Sequence, residues 1–166
     1  VGFGPAVTFQ LRTADAGPVP AGSFGALTPG RLLETRVGPN WETVDGQFEG
    51  VGRRSAGQVT EVTVTDRAGV PADAGAVALN LTVINPSARG YATLWPCGVD
   101  QPTTSSLNYM AGQTVANSAI VKVGTGGKVC IYTRQATDIV LDTTGYFPNG
   151  SFGALTPARL LESRSG

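Results

Sequence analysis

Twelve carboxylates, ten arginines, two lysines and two cysteines make up the reactive inventory of this 166-residue chain, and histidine is absent. Without imidazole there is no Ser-His-Asp or Cys-His nucleophile system, no histidine-ligated zinc and no imidazole acid–base pair. Carboxylates remain for chemistry. Glycoside hydrolysis needs two of them facing across a cleft, and Glu34, Glu42, Asp45, Asp138 and Asp142 are available, but nothing in their spacing sets such a separation. Asp138 and Asp142 share a face of a presumed strand, yet four residues of strand hold them about 13 Å apart. No Asp-rich or EF-hand loop accompanies them, so no metal and no cofactor is expected. The expectation is a protein that is not an enzyme.

Cys97 and Cys130 lie 33 positions apart and are not a CxxC pair; two thiols alone cannot build a structural zinc site. A disulfide is the reading. Closing that loop would stabilise the fold by roughly 3–4 kcal/mol on the chain-entropy model, and such a bond points to a secreted or cell-surface location.

Aromatic side chains are the other candidate tools, since flat rings stack on the apolar faces of sugars. Trp41 lies in the polar stretch Pro39-Asn40-Trp41-Glu42 and is the ring most expected to be exposed; Tyr91 and Tyr109 are further candidate ligand contacts. Trp95, beside Cys97 on an apolar strand, reads as packed core. Tyr146 and Phe147 read as packing at an inter-domain seam.

The charge balance narrows the partners. Acidic and basic residues number 12 each and together make up 14% of the chain. That is poor material for neutralising nucleic-acid phosphates. No run approaches 18 apolar residues, so no membrane insertion is expected.

A near-duplication organises the chain. Residues 22–36 read GSFGALTPGRLLETR and residues 150–164 read GSFGALTPARLLESR, identical at thirteen of fifteen positions with an offset of 128. Only Gly30/Ala158 and Thr35/Ser163 differ. This period is too long for a solenoid unit and fits a string of domains with separate cores. The divisions are an N-terminal strand and linker over 1–21, one full repeat over 22–149, and the start of a second copy over 150–166. Within 1–21, Val7 to Thr13 alternates apolar and polar residues. Val7, Phe9 and Leu11 would then form the buried side of a strand that pairs in cis or with another copy, end to end.

Inside the repeat, the punctuation is that of β-structure. Strands are expected over 58–65, 77–84, 91–95, 106–110, 115–123, 129–133 and 138–142, with Gly124 to Gly127 as a hairpin connection. Leu27 to Arg36 could hold one short helical turn opened by Pro29. If it is extended instead, Leu32, Glu34 and Arg36 share one side, Leu33 enters the core, and Glu34 pairs with arginine. The expected fold is an all-β sandwich of about seven to nine strands, jelly-roll or immunoglobulin-like, with one disulfide.

Several ordered strings carry a resemblance: LTPGRLLETR, AGVPADAGAVALNLTV, GYATLWPCG, SSLNYMAGQTVANSAIVKV, GKVCIYT and DIVLDTTGYF. Together they cover about Phe24 to Phe147. The set resembles a repeated domain of secreted and cell-surface proteins of actinobacteria and related high-GC bacteria, which opens on an LTPxRLLDTR-like string and closes on GYF. Glu34 stands where that family usually has Asp. The resemblance implies a non-catalytic extracellular structural or adhesive module, with neighbouring repeats or copies of itself as partners. The alternative is a carbohydrate- or cell-wall-binding module with glycan as partner.

Overall fold

In a computed structural model of the chain, the described residues are 23–153, 155, 159–161 and 163. The segment carrying Val7, Phe9 and Leu11 lies outside them. Eight strands succeed one another: β1 (Gly25–Glu34), β2 (Gln58–Thr63), β3 (Ala74–Ile84), β4 (Gly90–Pro96), β5 (Leu107–Tyr109), β6 (Thr114–Lys122), β7 (Lys128–Thr133) and β8 (Asp138–Pro148). They form two four-stranded antiparallel sheets, ordered β1-β8-β3-β6 and β2-β7-β4-β5.

That order arises from a single long hairpin. Its tip is the β4·β5 pair, and β3·β6, β2·β7 and β1·β8 pair in turn behind it. The ribbon then wraps so that β3 also meets β8 and β4 also meets β7. This is a jelly roll. An immunoglobulin-like connectivity would pair β1 with β2, which here lie in different sheets.

Alternation decides which side chains fill the sandwich. On β3, Val77, Leu79, Leu81 and Val83 are buried while Ala78, Asn80, Thr82 and Ile84 face out. Leu32, Leu33, Val62, Ile131, Ile139 and Leu141 meet them from the other strands, each fully buried. Cys97, just past β4, is bonded to Cys130 on β7, with Cα atoms 5.1 Å apart. Trp95 and Tyr132 pack around that bond as a second, smaller apolar cluster.

Two local expectations are corrected. Gly124 to Gly127 is not a hairpin, because β6 and β7 belong to different sheets. The segment instead makes a 3₁₀ turn across the sandwich, anchored where the Thr125 amide donates to the Cys97 carbonyl (2.8 Å). Leu27 to Arg36 is not helical: Leu27 to Glu34 lie in β1, an edge strand, and Thr35 and Arg36 follow it. Pro29 is tolerated there because the pairing with β8 slips between Ala26 and Gly30, so its missing N–H breaks no ladder bond.

The exposed side of β1 is then covered by the chain just beyond it. The Val44 amide donates to the Arg31 carbonyl, that of Glu34 to Phe48 and that of Gly52 to Thr35, at 2.9–3.0 Å. Such a cover removes the open row of hydrogen-bonding groups that makes an edge a template for aggregation. The cover is itself clamped. Arg67, buried in the β2–β3 connection, reaches both oxygens of Asp45 (2.6 and 2.7 Å) and the carbonyls of Thr63 and Gln47.

Gly30 sits where β1, this cover and the β2–β3 connection converge. A Cβ there would stand 2.7 Å from the Ala68 Cβ and 3.0 Å from a Val44 methyl. The second copy of the motif carries Ala158 at the matching position, so its sequence enters this slot only if Ala68 moves. Gly30→Ala is expected to cost about 1–3 kcal/mol by overpacking, with Ala68→Gly restoring most of it in urea unfolding. Equal stability of Gly30→Ala and wild type would contradict the contact.

Candidate functional site

The repeated Arg31–Arg36 string builds a knot of charge at one end of the first sheet. A second register slip, between Arg31 and Leu33, breaks the alternation, so Leu32, Leu33, Glu34 and Thr35 are all buried in succession. Leu33 enters the core as expected, but Leu32 joins it instead of pointing out with Glu34.

Glu34 is 0% exposed and every contact it makes is charge-assisted or to backbone. Arg36 donates from Nε to Oε1 (2.9 Å) and from Nη2 to Oε2 (2.8 Å), and its amide donates to Oε1 (3.0 Å). Arg31 adds Nη1 to Oε2 (3.0 Å). Burial pushes the Glu34 carboxyl up, but the Arg36 hydrogen bonds and the charges of both arginines outweigh it and hold the group below the usual carboxylate range. A general acid needs the opposite shift.

The neighbouring carboxylates are engaged in the same way. Asp142 accepts from Arg31 Nε (3.0 Å). Asp138 accepts from the Thr35 hydroxyl (3.0 Å) and from Arg53 Nη1 (2.9 Å), while Arg53 also reaches the carbonyls of Asn85 and Ala136. The Thr35 hydroxyl in turn accepts the Ile139 amide (2.9 Å), tying the motif to β8. Beside this knot, Pro29, Arg31, Glu42, Asn80, Ser118 and Asp142 line a shallow polar groove on the outer face of the first sheet. Among the described residues, no three Asp, Glu, Cys or His side chains gather as a metal site.

The three aromatic candidates do not converge. Trp41 is half-buried in the chain covering β1, with the Arg36 guanidinium 4.3 Å over its ring. It therefore belongs to the charge knot. Tyr109 is buried, and its hydroxyl donates to the Tyr91 carbonyl (3.1 Å) and accepts the Gln135 amide (3.2 Å). Burial pushes that hydroxyl's pKa up.

Tyr91 is half-buried on the outer face of the second sheet. Its ring lies 5.8 Å from that of Tyr132, with Arg134 at 5.9 Å. Tyr91 and Tyr109 both line a groove of about 850 Å³ that also takes in Arg89, Asn108 and Gln113. Trp95 is buried as expected, its Nε1–H donating to the Val99 carbonyl (3.1 Å).

Arg53 and Arg67 escaped sequence reasoning, since each serves a partner more than 20 residues away and no local pattern marks it. Tyr132, the ring partner of Tyr91, sits at an outward position of β7, which pairs with β4.

Removing the Glu34 charge leaves Arg31 and Arg36, whose side chains are 32% and 26% exposed, without the buried counter-ion they share. Glu34→Gln is expected to cost about 3 kcal/mol at pH 7. Its folded pKa, and that of Asp45 beside the Arg67 hydrogen bonds, lie below the ordinary values. Each therefore contributes stability that is complete above the unfolded carboxylate pKa of about 4 and lost as pH falls through the folded one. The gap between wild type and Glu34→Gln should narrow from pH 7 to pH 2 in denaturant titrations; a pH-independent gap would contradict a charged Glu34.

No protein-family model matches this chain, and no curated protein or solved structure does.

Proposed function

We propose that this chain carries a non-catalytic extracellular module of a tandem-repeat surface protein, a structural or adhesive bead in a stalk or filament. One observation carries the reading. Leu160 and Leu161 of the second motif copy are 98% and 82% exposed, whereas Leu32 and Leu33, their counterparts in β1, are fully buried. Two leucines buried in β1 are thus exposed at their repeated positions, as the opening strand of a second domain would present them. The arginines and carboxylates of the motif neutralise one another in β1, which favours a structural over a catalytic use. The disulfide is compatible with an oxidising location such as the cell surface. Resemblance to the repeated actinobacterial surface domain supports the same reading. End-to-end assembly through Val7, Phe9 and Leu11 would extend it.

A second reading, carbohydrate or cell-wall binding, is favoured by the Tyr91–Tyr132 pair on the outer face of the second sheet with Arg134 and Asn108 nearby. A glycan array and a cell-wall pull-down separate the two. The structural reading expects no retention above background. Binding abolished by Tyr91→Ala but not by Trp41→Ala would overturn it in favour of the glycan reading. Deleting residues 150–166 should leave the melting temperature within about 3 °C, about 1 kcal/mol or less for a domain of this size, because all eight strands lie before them. A larger drop would mean that the second copy completes this domain.

A further inference from the structure

Three phenylalanines meet where one motif copy gives way to the next. Phe147, of the GYF string that ends β8, has the Phe24 ring 5.2 Å away and the Phe152 ring 5.1 Å away. Phe24 and Phe152 are the same residue of the motif, 128 positions apart. Both copies therefore place their phenylalanine against one ring. Phe24 reaches its place across Gly145, where any Cβ would collide with the ring.

The intervening chain is short and tied. The Ser151 amide and hydroxyl both donate to the Pro148 carbonyl, closing a four-residue turn over Asn149 and Gly150. Beyond it, Phe152 and Leu155 line an apolar groove shared with Trp95, Val99, Ile120 and Val121, of which Val99 and Ile120 are exposed.

We infer that Phe147 is the docking ring for the next copy of this domain, and that successive domains are coupled through a shared aromatic stack at a fixed angle. If the second copy folds as the first does, Phe152 also gains the ring that Phe147 supplies to Phe24. It then has a partner on either side. Its 38% exposure leaves ring surface that such a second ring would cover. Contacts between offset rings at this distance are favourable beyond the area they bury. The groove with Val99 and Ile120 continues the same surface, and the second copy already forms part of its lining. This inference rests on the tandem-module reading for its partner, but the contact itself is a property of the chain in hand.

Backbone ¹⁵N relaxation on the full chain tests it. Amide order parameters for Ser151, Phe152 and Gly153 should sit near the rigid-backbone value of about 0.85, and Phe152→Ala should drop them below about 0.6. Phe147→Leu, which keeps an apolar side chain on β8, should do the same while leaving the amides of β1 and β3 unchanged. The inference is overturned if residues 151–153 are mobile in wild type, or stay ordered in both variants. Either result leaves the tandem-module reading standing, whereas glycan binding through Tyr91 would remove that reading and leave the stack.

Discussion

A carboxylate with no water contact must be fully paired or it must give up its charge. Glu34 is paired, and the way it is paired orders much of the first sheet. Arg36 wraps back over it from two residues on, and Arg31 spans from Glu34 to Asp142 on β8. Thr35 hands its hydroxyl to Asp138 and takes the Ile139 amide. One six-residue string therefore sets the register of β1 on β8 by charge and buries Leu32 and Leu33 as it does so. Isolated ion pairs contribute little, but removing one member of a buried set leaves uncompensated charge, which is what makes such a set specific.

The jelly roll explains why that strand is worth securing. Among the described residues its ribbon begins with β1 and ends with β8, so the β1·β8 pair joins its two ends. Until the two meet, β8 lacks one neighbour and the sandwich lacks Leu32 and Leu33. The covering segment after β1 and the Arg67–Asp45 clamp then protect the new edge. Gly30 admits that cover without a shift of Ala68, which an alanine there would require.

Much of this was legible in the residues. β2 to β7 lie within about three positions of where the residues placed them, while β8 starts at the expected Asp138 but runs on to Pro148, six residues past the expected end. The two cysteines paired as their isolation implied. Alternation failed in β1, where a register slip and a covering loop bury four residues in a row and where Pro29 imitates a helix start. It failed again at Gly124 to Gly127, because a glycine-rich turn is read the same way whether it joins two strands of one sheet or crosses between sheets. The site was legible only in part. Glu34 and its arginines share one string, but Arg53 and Arg67 act across distances that no local pattern encodes. Trp41, in a polar stretch, is half-buried, with one face under the Arg36 guanidinium.

Native-state hydrogen exchange tests most directly the claim that β1 is held on β8 as part of one cooperative unit. The amides of Leu33 on β1 and of Val140 on β8, which alternation turns towards β3, should exchange only through global unfolding, with the free energy found by urea denaturation. In Glu34→Gln their free energies should fall together, by the same amount as the global value. If the β1 amides instead exchange by a local opening several kcal/mol below the global value while β8 stays protected, the charge knot does not secure the strand.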